Sequence, residues 1–229
     1  MISTSKNWLE TRQAVESFYK AKTDSNEKVM VISHSTATQV EKGNFEEAVL
    51  MLQRKSAFSN EAIELGKGYH SSLESFIRDN KRFPSFFNID EEPIIEELEK
   101  RFLISMSSYI TDKEDWLYFT GKVDATTDLK IIDWKTTGSK FFKWEWYMNS
   151  HQLPLYSLYF DRPEMTIGLI NRHDGNFATK SQLITDDMVS DAIDWLVDMA
   201  RRLKNYCIEN DKVWWISDIG DLEWSDEKS

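Results

Sequence analysis

Two kinds of hydrophobic pattern alternate along the chain and predict a mixed α/β protein. Apolar residues at helical spacing predict helices over residues 3–20, 44–52, 60–79, 91–110, 152–160 and 186–210. Short β-branched and aromatic runs predict strands over residues 28–32, 116–124, 129–136, 165–171 and 177–183. We therefore expect an α/β fold with a central mixed β-sheet of four or five strands, flanked by helices, and a helical N-terminal portion.

The stretch from Gly121 to Thr137, GKVDATTDLKIIDWKTT, places charged residues inside two predicted strands. Side chains alternate between the faces of a strand, so Asp133 and Lys135 point the same way, and the intervening Trp134 points the other way. Residues 125–128 are turn formers and predict a hairpin-like return, which would bring Asp124 beside Asp133. The pattern thus predicts two carboxylates and an ammonium at one place.

Two adjacent carboxylates repel each other, and one of them stays protonated unless a cation lies between them. A hard divalent ion, Mg²⁺ or Mn²⁺, suits oxygen ligands and relieves that conflict. Lys135 would then stabilise the charge on an attacked phosphate or orient the attacking water. The alternative is a surface hairpin with scattered charges, because Asp-x-Lys is a common pattern.

The predicted helix over 60–79 contains two glycines within three residues, Gly66 and Gly68. Glycine in a helix costs about 1 kcal/mol relative to alanine, so we expect another backbone or a ligand to lie close to both. His70 and Glu74 follow on one helical face. Taken alone, a histidine in such a position is more often a hydrogen-bonded core residue than a metal ligand.

Lysines and aromatic rings alternate in KFFKWEWY, residues 140–147, directly after the strand of Asp133 and Lys135. Bases stack on such rings while ammonium groups follow the phosphates, so Lys140 and Lys143 would contribute to a platform for single-stranded nucleic acid. The alternative is a helix whose aromatic residues belong to the core. The sequence does not decide between them.

Composition limits the function classes. The 229 residues suit a single domain over 1–216 with an acidic tail over 217–229 that offers a surface for a protein partner. The net charge of −11 argues against a protein that coats nucleic acid non-specifically. Cys207 is the only cysteine, which excludes internal disulfides and four-cysteine zinc or iron–sulfur sites. No stretch approaches the ~20 apolar residues of a membrane span, so we expect a soluble, cytoplasmic protein with no membrane partner.

Four short motifs, in order, resemble those of the PD-(D/E)XK nuclease superfamily, and more closely its RecB-type exonuclease branch, which includes phage and mitochondrial genome maintenance exonucleases. The resemblance spans about residues 60–160 and implies a restriction-endonuclease-like core. Each motif is weak by itself, but the four in this order form a specific pattern: Gly66, His70 and Glu74; Gly121 and Asp124; Asp133 and Lys135; Gln152 and Tyr156.

This resemblance implies a role for each matching residue. It implies that the divalent ion, Mg²⁺ or Mn²⁺, is held by His70, Asp124, Asp133 and the backbone carbonyl of Trp134. It also implies that Lys135 is the catalytic lysine and that Gln152 and Tyr156 support the site or the DNA, and it leaves the role of Glu74 open. Val123 stands where many relatives have proline, and the cysteines of the iron–sulfur relatives are absent.

We therefore expect a metal-dependent DNA exonuclease that acts in replication, recombination or repair. Whether it prefers single-stranded DNA or free ends stays open. Its size suggests a phage or mobile-element protein acting in the cytoplasm of a bacterial host. Two alternatives remain open. One is a non-catalytic DNA- or protein-binding module with a nuclease-like fold, and the other is an endonuclease or junction resolvase of the same superfamily.

Overall fold

Two β-sheets hold the strands that the computed structural model describes. The described residues are 8–9, 17–18, 20–22, 24–25, 27–53, 55, 61–80, 82–84, 95–110, 116–139 and 141–215. Within them the strands are β1 (Trp8–Leu9), β2 (Met30–Ser33), β3 (Glu97–Leu98), β4 (Arg101–Ser105), β5 (Leu117–Lys122), β6 (Ala125–Thr126), β7 (Lys130–Thr137), β8 (Glu164–Asn171) and β9 (Phe177–Leu183). One sheet has the order β1-β4-β5-β2 and the other the order β3-β6-β7-β8-β9.

Helices surround these strands at most of the predicted positions. They are α1 (His34–Glu41), α2 (Phe45–Leu52), α3 (Glu61–Asn80), α4 (Trp144–Met148), α5 (Gln152–Phe160) and α6 (Asp186–Glu209), with a 3₁₀ turn at Ser107–Tyr109. The predictions for α2, α3, α5 and α6 are confirmed to within one or two residues. Among the described residues, no helix has both the length and the apolar character needed to cross a membrane.

The chain divides into two compact units. The first comprises Met1–Ala57, Arg101–Gly121 and Ile193–Ser229, and the second comprises Phe58–Lys100 and Lys122–Ala192. The prediction of a single domain over 1–216 stays a prediction. The acidic tail over 217–229 lies outside the described residues.

In the first unit, β2 pairs with β5 in parallel, and β4 lies on the other side of β5. The hydroxyl oxygen of Ser33, at the N-cap of α1, accepts a hydrogen bond from the backbone N–H of Thr36 at 3.2 Å, which satisfies one of the free donors of the first turn. Asn44 occupies the N-cap of α2, but its side chain makes no capping hydrogen bond and donates instead to Gln39 Oε1 at 2.9 Å.

The described parts of two predicted helices contain strands. Within 3–20, Trp8 and Leu9 form β1 and pair antiparallel with β4, although Ser17, Phe18 and Lys20 are helical. Within 91–110, the described residues form β3, β4 and the 3₁₀ turn. Phe102, Leu103 and Ile104 are all buried, and three consecutive buried residues fit a strand covered on both faces better than an amphipathic helix. Tertiary pairing has therefore overridden the local helical pattern.

The second unit contains a mixed five-stranded sheet, which confirms the predicted fold class. β7 pairs antiparallel with β6 and parallel with β8, and β8 pairs antiparallel with β9. Since parallel neighbours need a crossover, α4 and α5 connect β7 to β8. The β8–β9 hairpin turns at Asp174-Gly175-Asn176, where Gly175 has φ +70°, a conformation that favours glycine.

Helix α3 packs on one face of the β6–β7 ladder. Leu73 and Ile77 from α3 join Ala125, Ile132 and Trp134 in one hydrophobic cluster. Close approach is visible where a Cβ atom on Gly66 would lie 3.0 Å from the hydroxyl oxygen of Thr136 on β7.

Gly68 behaves differently from Gly66, because a Cβ atom there would meet no atom within 4 Å. The expectation of a close neighbour is therefore right for Gly66. For Gly68 the expectation of a neighbouring backbone is wrong, because no protein atom lies within 4 Å of the added Cβ position.

Candidate active site

The middle of β7 brings a buried carboxylate and a lysine together on the face opposite to the hydrophobic cluster. Strand alternation sends Ile132 and Trp134 into that cluster and Asp133 and Lys135 to the other side. Asp133 is only 2% exposed. The Lys135 ammonium donates to Asp133 Oδ1 at 3.0 Å and lies 2.9 Å from Oδ2, so the pair is in direct contact.

Asp124 lies just before β6 and faces the same part of β7. Its Oδ2 accepts a hydrogen bond from the backbone N–H of Trp134 at 2.8 Å, and the residue is 5% exposed. The predicted strand over 116–124 ends at Lys122, and β5 pairs with β2 and β4. The return to β7 is made instead by the two residues of β6, with Thr127 Oγ1 accepting from the backbone N–H of Lys130 at 3.1 Å in the turn.

His70 joins this group from α3. Its Nδ1 lies 3.7 Å from Asp124 Oδ1, and its ring centroid lies 6.1 Å from that of Trp134. The half-buried ring therefore packs on the core and also faces a carboxylate. Glu74, one turn later, forms an ion pair with Arg78 on the same helix.

Gln152 and Tyr156, at the start of α5, connect to Asp133 through hydrogen bonds. The Gln152 side-chain amide donates to Asp133 Oδ1 at 3.2 Å and to the Tyr156 hydroxyl oxygen at 3.0 Å. Their spacing of four residues places both on one side of the helix. Pro154 is tolerated between them because it lies in the first turn, where its missing N–H has no helical partner to lose.

Burial and neighbouring charges shift the protonation equilibria of this cluster. Burial, with a smaller contribution from the charge of Asp124, raises the pKa of Asp133 to about 6 against the opposing effect of Lys135. For Lys135, burial lowers the pKa, but the carboxylates of Asp133 and Asp124 outweigh it, so the pKa rises overall. Burial, together with the charge of Asp133, raises the pKa of Tyr156 to about 12. At neutral pH, Lys135 is therefore a cation and Tyr156 a neutral phenol.

The donor set fits a hard divalent ion. The two carboxylates and the imidazole that meet here match ligands that Mg²⁺ or Mn²⁺ takes in proteins. Asp133 Oδ2 is buried and accepts no hydrogen bond of normal geometry, although the Lys135 ammonium is near it. That oxygen is available to a cation. Among the described residues, however, no three His, Cys, Asp or Glu side chains lie close enough together to form a closed metal centre.

The lysine and aromatic segment after β7 is helical in part, as α4, but its rings are not buried in the core. Phe141 is 73% exposed and Trp146 70% exposed, whereas Phe142, Trp144 and Tyr147 are half-buried. The Lys143 ammonium lies 4.2 Å from the centre of the Trp146 ring. Lys140 lies outside the described residues.

The sequence did not identify the residues that fix the start of this segment. Asn171, at the end of β8, donates from Nδ2 to the carbonyl of Ser139 at 3.2 Å, and His173 Nε2 lies 3.0 Å from the carbonyl of Gly138. The only signal was polar residues directly after a strand. Their position beside β7 depends on the parallel β7–β8 register, which pairs Thr137 with Asn171.

Comparison with known proteins shows the fold. No family model and no curated protein sequence matches the chain. Among solved structures, the chain is similar to the protein SSO0001, with 17% identity, a TM-score of 0.52 and coverage of 82% of this chain and 85% of that one. It is similar to the alkaline exonuclease LHK-Exo from Laribacter hongkongensis, with 11% identity, a TM-score of 0.50 and coverage of 86% and 96%.

A putative exonuclease from Eubacterium rectale also matches, with 15% identity, a TM-score of 0.50 and coverage of 90% of this chain and 88% of that one. These matches extend over most of each chain, so they concern the whole architecture. They confirm, at the level of the fold, the resemblance that the four motifs indicated.

Proposed function

We propose that this chain, which has the fold of PD-(D/E)XK-type exonucleases, is a divalent-metal-dependent DNA exonuclease that hydrolyses phosphodiester bonds. The observation that supports this most strongly is the meeting of Asp133, Lys135 and Asp124 at β7. Asp124 is bonded to the backbone of Trp134, between the other two residues in sequence. Buried carboxylates beside a cation are costly to keep, and such groups concentrate at functional sites.

The residues that would hold the ion are Asp124, Asp133, His70 and the backbone carbonyl of Trp134. When bound, Mg²⁺ or Mn²⁺ would neutralise phosphate charge and lower the pKa of a coordinated water. Asp133 has the oxygen best placed for this task, because its buried Oδ2 has no hydrogen bond of its own. His70 already lies beside Asp124.

Lys135 acts as a charged donor in this proposal. The carboxylates of Asp133 and Asp124 raise its pKa, so in the metal-free protein the ammonium keeps its proton at neutral pH. Its side chain is partly exposed, so it can reach a phosphate oxygen as well as Asp133. A fixed positive charge there stabilises the negative charge that develops on the phosphate during attack.

Gln152 and Tyr156 orient Asp133. The amide of Gln152 spans from Asp133 Oδ1 to the Tyr156 hydroxyl oxygen, which holds the carboxylate in one orientation. Groups that orient a ligand in this way normally affect metal affinity and activity without contacting the substrate. We therefore assign them a positioning role.

Linear and closed circular DNA test the proposal. The purified chain should release nucleotides from end-labelled linear DNA in Mg²⁺ or Mn²⁺, should stop when EDTA is added, and should leave covalently closed circles intact. Cleavage of closed circles would replace this proposal with an endonuclease. Binding of DNA without cleavage of either substrate in both metals would replace it with a binding module.

A further inference from the structure

Two aromatic side chains between β7 and α5 face water. Phe141 and Trp146 are more exposed than any other large hydrophobic side chain among the described residues, with Leu183 next at 63%. Burying a large apolar side chain yields about 1.5–3 kcal/mol, so the fold forgoes that stabilisation twice within six residues. We call Phe141, Lys143 and Trp146 the aromatic ridge.

The segment around the ridge is anchored at both ends. Before it, the carbonyl of Ser139 accepts a hydrogen bond from Asn171 on β8. After it, the carbonyl of Met148 accepts a hydrogen bond from Gln182 on β9 at 3.2 Å, and the Met148 side chain is buried. The exposed rings therefore project from a segment that is fixed to two strands of the sheet.

This segment begins and ends at the candidate active site. It leaves β7, the strand of Asp133 and Lys135, and ends at Gln152, whose amide returns to Asp133 at 3.2 Å. Trp146 precedes Gln152 by six residues, so their Cα atoms are at most about 22 Å apart. A DNA strand bound at the candidate active site is thus within a few nucleotides of the ridge.

We propose that the aromatic ridge binds the unpaired nucleotides of a single-stranded DNA end and directs that strand to Asp133 and Lys135. This rests on the proposed nuclease function and specifies its substrate. The Lys143 ammonium lies 4.2 Å from the Trp146 ring centre, so one site offers a ring face for a base and a charge for a phosphate. Successive nucleotides of a single strand use this combination.

The charges and the pairing state of DNA support this occupant. The chain as a whole carries a net charge of −11, whereas Lys143 places a positive charge beside exposed rings. Glu145 is the acidic residue of α4 and is also exposed, so it weakens rather than abolishes the local attraction. Duplex DNA keeps its bases stacked on one another, so their faces are not offered to Phe141 or Trp146.

Binding and cleavage are measured separately to test the proposal. Fluorescence anisotropy of labelled oligothymidylate in EDTA reports binding without cleavage, and kcat/KM in Mn²⁺ reports cleavage of single-stranded and duplex ends. Trp146→Ala should weaken oligothymidylate binding about tenfold or more, and Phe141→Ala by a similar factor. Trp146→Phe should retain most of the affinity, since it keeps a ring.

The matched control is Leu183→Ala, which removes a similarly exposed apolar side chain from the same unit. It should leave binding unchanged within about twofold, as for a typical surface substitution. Lys143→Ala should reduce the slope of log affinity against log salt by about 0.7, the share of one phosphate contact on a single strand.

Unchanged oligothymidylate affinity in both alanine variants would overturn the proposal, and so would an equal loss on single-stranded and duplex DNA. The failure of the nuclease function has a different signature. If the wild type binds oligothymidylate through the ridge but never cleaves it, the ridge proposal stands and the nuclease proposal fails. If the wild type cleaves DNA and the ridge variants do not change the ratio of single-stranded to duplex cleavage rates, the nuclease proposal stands and the ridge proposal fails.

Discussion

The four-stranded sheet of the first unit and the five-stranded sheet of the second bury different chemistry. Among the described strands, β2, β4 and β5 bury side chains such as Ile32, Phe102 and Phe119, and their interior is apolar. In the second unit, the buried set around β6, β7 and β8 contains polar groups as well: Asp124, Thr126, Thr127, Asp133, Thr137, Thr166 and Asn171. One sheet has the composition of a structural core, and the other retains groups that a core would not need.

The second unit buries carboxylates, and their burial lowers the stability of the fold unless partners compensate it. A buried carboxylate loses its hydration and is compensated only by partners of good geometry. Asp124 has such a partner in the backbone of Trp134. For Asp133, Gln152 donates to Oδ1 and the Lys135 ammonium lies within 3.0 Å of both oxygens, yet the pKa remains raised and Oδ2 accepts no hydrogen bond of normal geometry. The second unit therefore contains an incompletely satisfied charge of the kind that a cation would complete.

The largest effect should come from removing the Lys135 ammonium. Lys135→Ala should lower kcat/KM for DNA cleavage by about 100-fold or more, because it removes fixed positive charge from the place where phosphate charge develops. The variant should fold but lose some stability at neutral pH, because Asp133 then lacks its paired cation, so activity is compared below the unfolding transition of each protein. Cleavage assays with a labelled linear substrate measure the effect.

Lys130→Ala is the matched control for this variant, because it removes a lysine from the same strand whose partner is Glu164 at 3.4 Å. It should keep activity within about twofold, as expected for a weak ion pair near the surface. Equal activities of the two variants would remove Lys135 from the proposed mechanism.

The next effect concerns the hydrogen bonds to Asp133. Gln152→Ala removes the amide that joins Asp133 to Tyr156, so the carboxylate is less firmly oriented and Mn²⁺ affinity should fall about 10- to 100-fold. Isothermal titration with Mn²⁺ measures it. Gln182→Ala, which removes a hydrogen bond to the Met148 carbonyl, should leave Mn²⁺ affinity unchanged. Identical titrations of the two variants would return Gln152 to a structural role.

A smaller effect tests how tightly α3 is packed on β7. Gly68→Ala should stabilise the protein by about 0.5–1 kcal/mol, because alanine is the better helix former and the space beside Gly68 is open. Gly66→Ala should gain less or lose stability, since its Cβ atom would lie 3.0 Å from Thr136 Oγ1. Chemical denaturation of both variants gives the difference. Equal stabilisation by both would show that α3 and β7 are not in close contact there.

The smallest effect concerns Cys207 in the first unit, where burial raises the thiol pKa to about 11. Little thiolate is present at pH 7.5, so the native protein should react slowly with a thiol reagent and quickly once unfolded. Because the unfolded thiol ionises first, at about 9.0, the stability from this thiol is complete below that pH and is lost as the pH rises to 11.

Cys207→Ala should retain DNA cleavage within about twofold, because the first unit lacks the proposed catalytic groups, and it should lack this alkaline loss of stability. Rapid labelling of the native protein at pH 7.5 would contradict the buried, neutral thiol. Loss of cleavage in a stably folded Cys207→Ala protein would contradict the division of roles between the two units.

Periodicity in the sequence was a sound guide wherever local and tertiary preferences agreed. The helix predicted over 186–210 and the strands predicted over 165–171 and 177–183 are confirmed as α6, β8 and β9. It failed for β1 and β4, whose residues suit a helix locally. Pairing with each other and with β5 decides their conformation, and a window of sequence contains no information on distant strand partners.

The sequence by itself determined which chemical groups the second unit presents. Alternation in β7 fixed that Asp133 and Lys135 share a face, and helical spacing fixed that Gln152 and Tyr156 share another. Only the tertiary structure decided that Asp124 bonds to the Trp134 backbone, that Gln152 reaches Asp133, and that Phe141 and Trp146 face water. These depend on strand register and on how elements far apart in sequence pack together, which local periodicity does not specify.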